Sequence, residues 1–279
     1  MGIEFGAPVG MIPRAGSPAG DMARDSFYAD LLKLFGDTRL LWVPEPTETT
    51  TSTDRSRNAR TITYNESVVS FDVVPEVLGA GTAVNFNGTD EEADTPDVDA
   101  LSFGDSVLDS PFSVVVLCNP DAVTDELVHL LSKWDNSDGS SQLREWRVTI
   151  DGSGYPTIEL YDESANAYIG RQDRTALTVS TWVMLTFTYD GSRSNTGLRV
   201  YVDASRLDDA NVTSGTYVAM ENLATVVNLA TMKDTGATPA TSGEFDGKIA
   251  LAAVIARQLQ PDNIWAVKEL LNAFYDLEL

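Results

Sequence analysis

The chain of 279 residues is long enough to bury a core of ordinary size, as one large domain or two small ones. Its 19 basic and 42 acidic residues leave a formal net charge of −23, which repels phosphate groups, so we expect neither nucleic acid nor a membrane as a partner. The single cysteine excludes an intrachain disulfide, and together with the single histidine it excludes the usual zinc sites and most nucleophilic triads. The composition therefore favours a binding or structural protein over an enzyme.

Residues 1–38 are predicted to form a Gly- and Pro-rich arm followed by a short amphipathic helix. The arm lacks the basic and apolar segments of a secretion signal, so we expect a cytoplasmic product. Four apolar residues share one face of the helix, and we expect them to dock the chain on a larger assembly: Phe27, Leu31, Leu34 and Phe35. On that interpretation the remaining chain folds without residues 1–38. The alternative is a helix that folds back on its own domain.

Residues 39–279 are predicted to form one domain of short strands. The continuous apolar run at 113–118 is typical of a strand buried on both faces, and Asp-Gly turn signals follow at 190–191 and 246–247. Many short strands with no long helical segment between them predict an all-β fold, a two-sheet antiparallel jelly-roll sandwich. A C-terminal helix is predicted to begin near Pro261 and to carry apolar residues at helical spacing as far as Phe274.

Four blocks in this part of the chain resemble the concanavalin A-like lectin/glucanase superfamily, in its laminin G-like, pentraxin-like jelly-roll branch. The blocks are residues 83–88, residues 130–134 (Leu-Leu-Ser-Lys-Trp), residues 182–203 with their Tyr-Asp-Gly-Ser turn, and residues 245–259. With the final helix, the resemblance extends over residues 83–276, about 70% of the chain. One departure is Ala204, which stands where the family has a glycine.

The resemblance implies a sandwich that binds glycans or protein partners, in some members with calcium, while one branch hydrolyses β-glucans. A retaining glycosidase needs two carboxylates about 5 Å apart, and the similar glucanases place a helper acid between them. The nearest pattern here is Glu159, Tyr161 and Glu163 on one strand face, where a tyrosine takes the helper position. We therefore expect no catalytic residue and no enzyme activity.

The sequence leaves two kinds of ligand as candidates, a glycan and a calcium ion. Aromatic residues near strand ends can present a ring face to a sugar, and the glycan candidates are Trp134, Trp146 and Tyr161, with a core position as the alternative for both tryptophans. Asp135 and Asp138 belong to an acidic turn whose oxygens suit calcium, the one cofactor considered, with a solvated turn as the alternative.

A second acidic segment, residues 90–99, is predicted to be a loop.

Trp182 begins the family's most recognisable strand, and its removal is expected to be among the most damaging substitutions, at about 3–5 kcal/mol.

A recognition fold with a docking helix, but without a secretion signal or a disulfide, is typical of a particle component that is assembled in the cytoplasm and released by lysis. We therefore hypothesise a bacteriophage structural or decoration protein on the virion surface. Its expected partners are a capsid or other virion protein bound through the N-terminal region, a cell-surface glycan and a second copy of the chain. The alternatives are a stand-alone carbohydrate-binding protein and a degenerate glycoside hydrolase.

Overall fold

The structure is a computed structural model that describes residues 18–66, 75–122, 127–136, 142–234 and 241–279. Within these ranges the chain forms two α-helices, α1 (Pro18–Phe35) and α2 (Pro261–Tyr275), and nineteen β-strands. The strands, in chain order, are β1 (Thr38–Trp42), β2 (Thr51–Thr53), β3 (Thr61–Glu66), β4 (Pro75–Leu78), β5 (Gly81–Asn87), β6 (Glu91–Thr95), β7 (Phe112–Pro120), β8 (Val128–Asp135), β9 (Leu143–Ile150), β10 (Pro156–Asp162), β11 (Ala167–Gln172), β12 (Val183–Tyr189), β13 (Leu198–Val202), β14 (Ser205–Arg206), β15 (Ala210–Ser214), β16 (Val227–Leu229), β17 (Met232–Lys233), β18 (Thr241–Ser242) and β19 (Asp246–Ile255). Neither helix combines the length and the apolar character that crossing a membrane requires.

The strands form two sheets. The first sheet has the order β14-β13-β12-β7-β19-β5-β4, and β1 pairs with the second half of β19. The second sheet has the order β15-β11-β10-β9-β8-β16-β6-β3-β2, with β17 and β18 attached beside β8. Apart from the β17–β8 contact, every strand pairing in the described ranges is antiparallel. The prediction of an all-β, two-sheet antiparallel sandwich with a helix near each end of the chain is confirmed.

Two apolar layers hold the sandwich together, one between the sheets and one between the first sheet and the helices. In β7, Val114 and Val116 face the layer between the sheets, whereas Val115 and Leu117 face the helices. Because both faces of this strand are covered, its sequence is a continuous apolar run rather than an alternating one. The prediction of a strand buried on both faces is therefore confirmed.

The predicted docking face of α1 is buried inside this chain. Phe27, Leu31 and Phe35 are 3%, 0% and 0% exposed, and Leu34 is half-buried against the same apolar layer. The Phe27 ring stacks on Phe274 of α2 with ring centroids 3.7 Å apart.

The end of α1 is also fixed to the chain, since Arg257 donates hydrogen bonds to the carbonyl oxygens of Leu34 and Phe35. The prediction that this helix face docks on an assembly is wrong, because the helix covers apolar sheet surface that water would otherwise reach. Residues 18–38 belong to the sandwich unit, and residues 1–17 lie outside the described residues.

The turn at Ala204 keeps a geometry that normally selects glycine. Asp203 and Ala204 have φ angles of 48° and 67°, both left-handed, in the tight turn that pairs Val202 with Ser205. An alanine in this region costs about 1 kcal/mol relative to right-handed backbone. The departure from the family pattern therefore changes the strain in the turn and leaves the hairpin in place.

Candidate functional site: the outer face of the second sheet

The second sheet has one face toward the core and one, the outer face, away from it. Trp146 and Val148 of β9 point into the core, so Arg147 between them lies on the outer face. The strand register sets Arg147 opposite Ser132 of β8 on one side and opposite Glu159 of β10 on the other. A row of polar side chains therefore crosses the outer face.

Arg147 of this row and four neighbouring side chains form what we call the aromatic–arginine patch. Its members are Trp134, Arg144, Arg147, Tyr161 and Tyr168. The rings of Trp134 and Tyr161 meet edge to face at 5.2 Å, and Tyr161 stacks on Tyr168 at 6.0 Å. The Cζ of Arg144 lies 3.8 Å from the centroid of the Tyr161 ring, and that of Arg147 lies 4.2 Å from the Trp134 ring. The patch thus combines aromatic rings with planar hydrogen-bond donors on one sheet face.

Each arginine of the patch has a glutamate partner. Arg144 binds Glu163 through two hydrogen bonds of 2.7 and 2.8 Å, and Arg147 binds Glu159 at 2.5 Å. Two positive and two negative charges therefore cancel within the patch. The guanidinium and carboxylate planes are fixed in position, and they add no net charge to the surface.

The side of the patch next to β8 is formed by residues 231–234 and 241–243. Met232 packs with Trp134 and Tyr161, and the Ser132 hydroxyl donates to the Thr231 carbonyl oxygen at 2.9 Å. At the other end of β8, the backbone N–H of His129 donates to the Gly243 carbonyl oxygen at 2.9 Å. These contacts set a side wall against the sheet face.

His129 of β8 lies between this wall and Arg147. Its Nδ1 donates to the Gly243 carbonyl oxygen, and its Nε2 accepts from Arg147, each at 3.3 Å. Burial, helped by the nearby Arg147 charge, lowers the pKa of His129 to about 3, so the imidazole is neutral at pH 7. With both ring nitrogens engaged, His129 serves to position its neighbours.

The structure separates the three glycan candidates. Trp134 and Tyr161 come together in the patch, 3% and 6% exposed because the arginines and each other's rings cover them. Trp146 is fully buried between the sheets, packs against Phe103 and Phe112, and donates its indole N–H to the Leu101 carbonyl oxygen at 2.9 Å. The prediction that Trp146 contacts a glycan is therefore wrong, because no ligand can reach its ring.

The calcium candidates give no metal site in the described residues. Asp138 falls in 137–141, outside those residues, and Asp135 is a buried residue whose carboxylate lies 4.0 Å from the Lys233 ammonium. No group of three histidine, cysteine, aspartate or glutamate side chains suited to a metal ion occurs within the described ranges. Calcium at this turn stays a prediction.

Asp97 of the second acidic segment takes part in a buried ion-pair network centred on Lys133. The Lys133 ammonium contacts Glu145 at 2.8 Å and Asp97 at 2.9 Å, and it donates to the carbonyl oxygens of Leu223 and Thr225. Burial raises the pKa of Glu145 to about 7 against the opposing effect of Lys133. This network holds the loop after β6 and the loop before β16 against β8.

The prediction that residues 90–99 form a loop is wrong, since residues 91–95 are strand β6, held between β3 and β16. Glu92 and Asp94 of β6 lie on the outer face, because Ala93 between them faces the core. Burial, followed by the charges of Asp94 and Glu244, raises the pKa of Glu92 to about 7.

Glu92 makes stability depend on pH. Because its pKa is raised from about 4.5 in the unfolded chain to about 7 in the folded one, its favourable contribution is complete below pH 4.5 and is lost as pH rises to 7. We expect Glu92→Gln to raise the free energy of unfolding at pH 8 by about 1–2 kcal/mol, after allowing for the partial exposure of the carboxyl group, and to change it little at pH 4.5. Urea unfolding at both pH values measures this. The exposed Glu269→Gln removes the same charge as a control, and an equal change in both variants would contradict the assignment.

Sequence reasoning missed Arg144, Arg147 and Tyr168, and it also missed that Glu159 and Glu163 are the arginine partners. The alternation of side chains along β9 and β10 indicates which of these residues share a face. Only the strand register shows that they lie next to one another. A β-bulge where Lys133 and Trp134 pair with β9 adds to the difficulty, since it places both Arg144 and Arg147 on the outer face.

The Laminin_G_3 family model, of the concanavalin A-like lectin/glucanases superfamily, matches residues 87–265, more than half of the chain. The chain belongs to this family. No curated protein matches the sequence.

Several solved structures have a fold similar to that of this chain. The binding domain of Paraclostridial Mosquitocidal Protein 1 has a TM-score of 0.58 at 10% identity, over 84% of this chain and 52% of that one. The receptor binding domain of botulinum neurotoxin type G has a TM-score of 0.54 at 14% identity, over 84% of this chain and 51% of that one. This chain thus spans about half the length of these two toxin domains.

Domain 4 of AbnA, an extracellular arabinanase from Geobacillus stearothermophilus solved in complex with arabinotriose, has a TM-score of 0.53 at 12% identity. The match covers 79% of this chain and 99% of that one. At identities this low, the three similarities show the fold alone.

Proposed function

We propose that this chain is a non-catalytic glycan-recognition domain displayed on the surface of a bacteriophage virion. The observation that carries the glycan part is the aromatic–arginine patch. Sugar rings bind through contact of their apolar faces with aromatic rings and through hydrogen bonds from their hydroxyl groups. Half-buried Tyr168 offers the ring, while Arg144, Glu163 and the exposed Asn166 offer donors and acceptors beside it.

The charge balance of the patch favours a neutral glycan. Arg144 and Arg147 are already paired with Glu163 and Glu159, so no free cation is left in the patch to attract a carboxylate-bearing sugar. The net charge of −23 also opposes the approach of acidic glycans. Binding should therefore depend little on salt.

The same pairs support a non-catalytic function. The carboxylates of Glu159 and Glu163 are each paired with an arginine, which leaves neither of them free to act as an acid or a nucleophile. Tyr161 lies between these residues in place of an acid.

Two related structures lend support through their ligands. AbnA domain 4 was solved with arabinotriose, a neutral oligosaccharide. Cell entry of botulinum neurotoxin type C, whose structure has a TM-score of 0.57 and 10% identity to this chain, depends on two ganglioside molecules, which are acidic, so that structure supports glycan recognition by the fold and not the neutral class. The virion part is supported by the single cysteine, since disulfides are common in proteins exported to oxidising surroundings. The acidic surface would also keep crowded copies soluble.

A glycan array with matched tyrosine variants tests the glycan part. We expect the chain to bind neutral oligosaccharides and Tyr168→Ala to weaken that binding about tenfold, which corresponds to about 1.4 kcal/mol of lost ring contact. Tyr155→Ala, at a half-buried tyrosine in a loop outside the patch, is the control and should bind normally.

Three results would contradict the proposal. They are an array without any bound neutral glycan, equal loss in both tyrosine variants, and release of reducing sugar from a bound glycan. Mass spectrometry of purified phage particles tests the virion part separately, and absence of the chain from those particles would overturn it.

A further inference from the structure

A cavity of about 810 Å³ lies between the C-terminal half of α1 and the loop that joins β2 to β3. We call it the basic groove, because Lys33, Arg39 and Arg57 line it, together with Asp37 as its one acidic residue among those described. Leu32 and Ala29 of α1 add apolar surface. The groove shares no residue with the aromatic–arginine patch.

The cations of this groove differ from most others in the chain. Most other arginines and lysines in the described residues have a carboxylate partner, as in the pairs Arg24–Glu45, Arg60–Asp54 and Arg171–Asp208. In contrast, neither Lys33 nor Arg57 has an acidic partner within 4.0 Å in the described part of the chain.

Arg39 is only partly satisfied. It meets Asp37 at 2.8 Å in an exposed pair, and its Nε has no hydrogen-bond partner in the residues that the structure describes. Three positive charges against one negative charge thus converge on one cavity of a protein whose net charge is −23.

We propose that the basic groove binds an acidic segment of a partner protein. The exposed Arg57 guanidinium can take a carboxylate through paired hydrogen bonds, and Arg39 and Lys33 add positive charge beside it. The cavity volume falls in the range of ligand sites, about 300–1,000 Å³, and the Leu32 and Ala29 surface suits an aliphatic side chain between the acids.

A peptide is favoured over nucleic acid by the rest of the surface. A long polyanion would extend beyond the groove into the field of an acidic protein, whereas a short acidic segment stays inside it. The inference does not depend on glycan binding.

Fluorescence anisotropy with the full chain tests the proposal. The probe is a labelled octapeptide that alternates glutamate with leucine, and its glutamine counterpart is the neutral control. We expect the acidic peptide alone to bind, and Lys33→Gln combined with Arg57→Gln to weaken its binding at least about tenfold. Both side chains are exposed, so the melting temperature should not change.

Arg174→Gln combined with Lys268→Gln removes the same charge outside the groove and should change the affinity less than about twofold. Equal loss in the two double variants would show general electrostatics and overturn the proposal, as would no binding of the acidic peptide at about 1 mM. Tighter binding of a thymidine oligonucleotide with equal charge would assign the groove to nucleic acid instead. Peptide binding that occurs only after removal of residues 1–17 would assign the groove to the chain's own segment, again overturning it.

Discussion

Replacement of Trp146 by alanine is expected to lower the free energy of unfolding by about 3–5 kcal/mol. The side chain is fully buried between the sheets, and its removal leaves a cavity beside Phe103 and Phe112. It also leaves the buried Leu101 carbonyl oxygen without its indole donor. Because nothing small can refill the space of an indole ring, most of this loss should persist after relaxation.

Urea unfolding of Trp146→Ala and Trp182→Ala gives the matched comparison. Trp182 is half-buried beside a cavity of about 160 Å³ at the edge of the first sheet, with Leu177, Val202 and Leu207 as neighbours. Its removal should cost only about 1–2 kcal/mol, since part of the ring already contacts water. A Trp182→Ala variant as unstable as Trp146→Ala would contradict this ranking.

Leu31→Ala in α1 is expected to cost about 2–5 kcal/mol. Leu31 is fully buried in the layer that α1, α2 and the outer side of the first sheet build together. If the helix were instead a mobile docking element, this substitution would leave the folding equilibrium unchanged.

The exposed Asp30→Ala, one position earlier in the same helix, is the control and should stay within about 0.5 kcal/mol of the wild-type chain. Equal stability of the two variants in urea would contradict the packing of α1. A chain that begins at residue 38 should aggregate, because it would expose the apolar surface around Leu41, Val115 and Leu251.

The sequence patterns predict the sandwich well, because they record which faces of a strand are covered. The run at β7 marks a strand between two apolar layers, and the alternation along β12 places Val183, Leu185, Phe187 and Tyr189 toward the core, as observed. The family resemblance extends this reading across most of the strands. The C-terminal helix follows from Pro261 and the spacing after it.

The partner of an amphipathic helix is not encoded locally. The apolar face of α1 would suit another protein or this chain's own sheet equally well, and only the tertiary structure distinguishes the two. For Trp182, the strong family position suggested a core residue, but the core face of β12 begins one residue later, at Val183.

The candidate site could be predicted only in part. Trp134 and Tyr161 stand out as aromatic residues on strands, whereas Trp146 looks the same in sequence and points the other way. Which face a residue occupies depends on the register of β8, β9 and β10 and on the bulge between two of them. The arginine–glutamate pairs depend on the same register, so they were not predicted.

The two helices cover one side of the sandwich, and the aromatic–arginine patch lies on the opposite side. The molecule therefore has two different sides: a back, where the helices cover the first sheet, and a front, where the outer face of the second sheet carries the patch. Copies held by their backs on a common support would all present their fronts in the same direction. Contacts that are weak one at a time would then gain avidity, with an enhancement of about 10²–10⁴-fold where neighbouring copies reach ligands on the same surface. On the glycan-binding function that we propose, dense display would allow a low-affinity patch to hold a cell firmly while each individual contact still exchanges quickly.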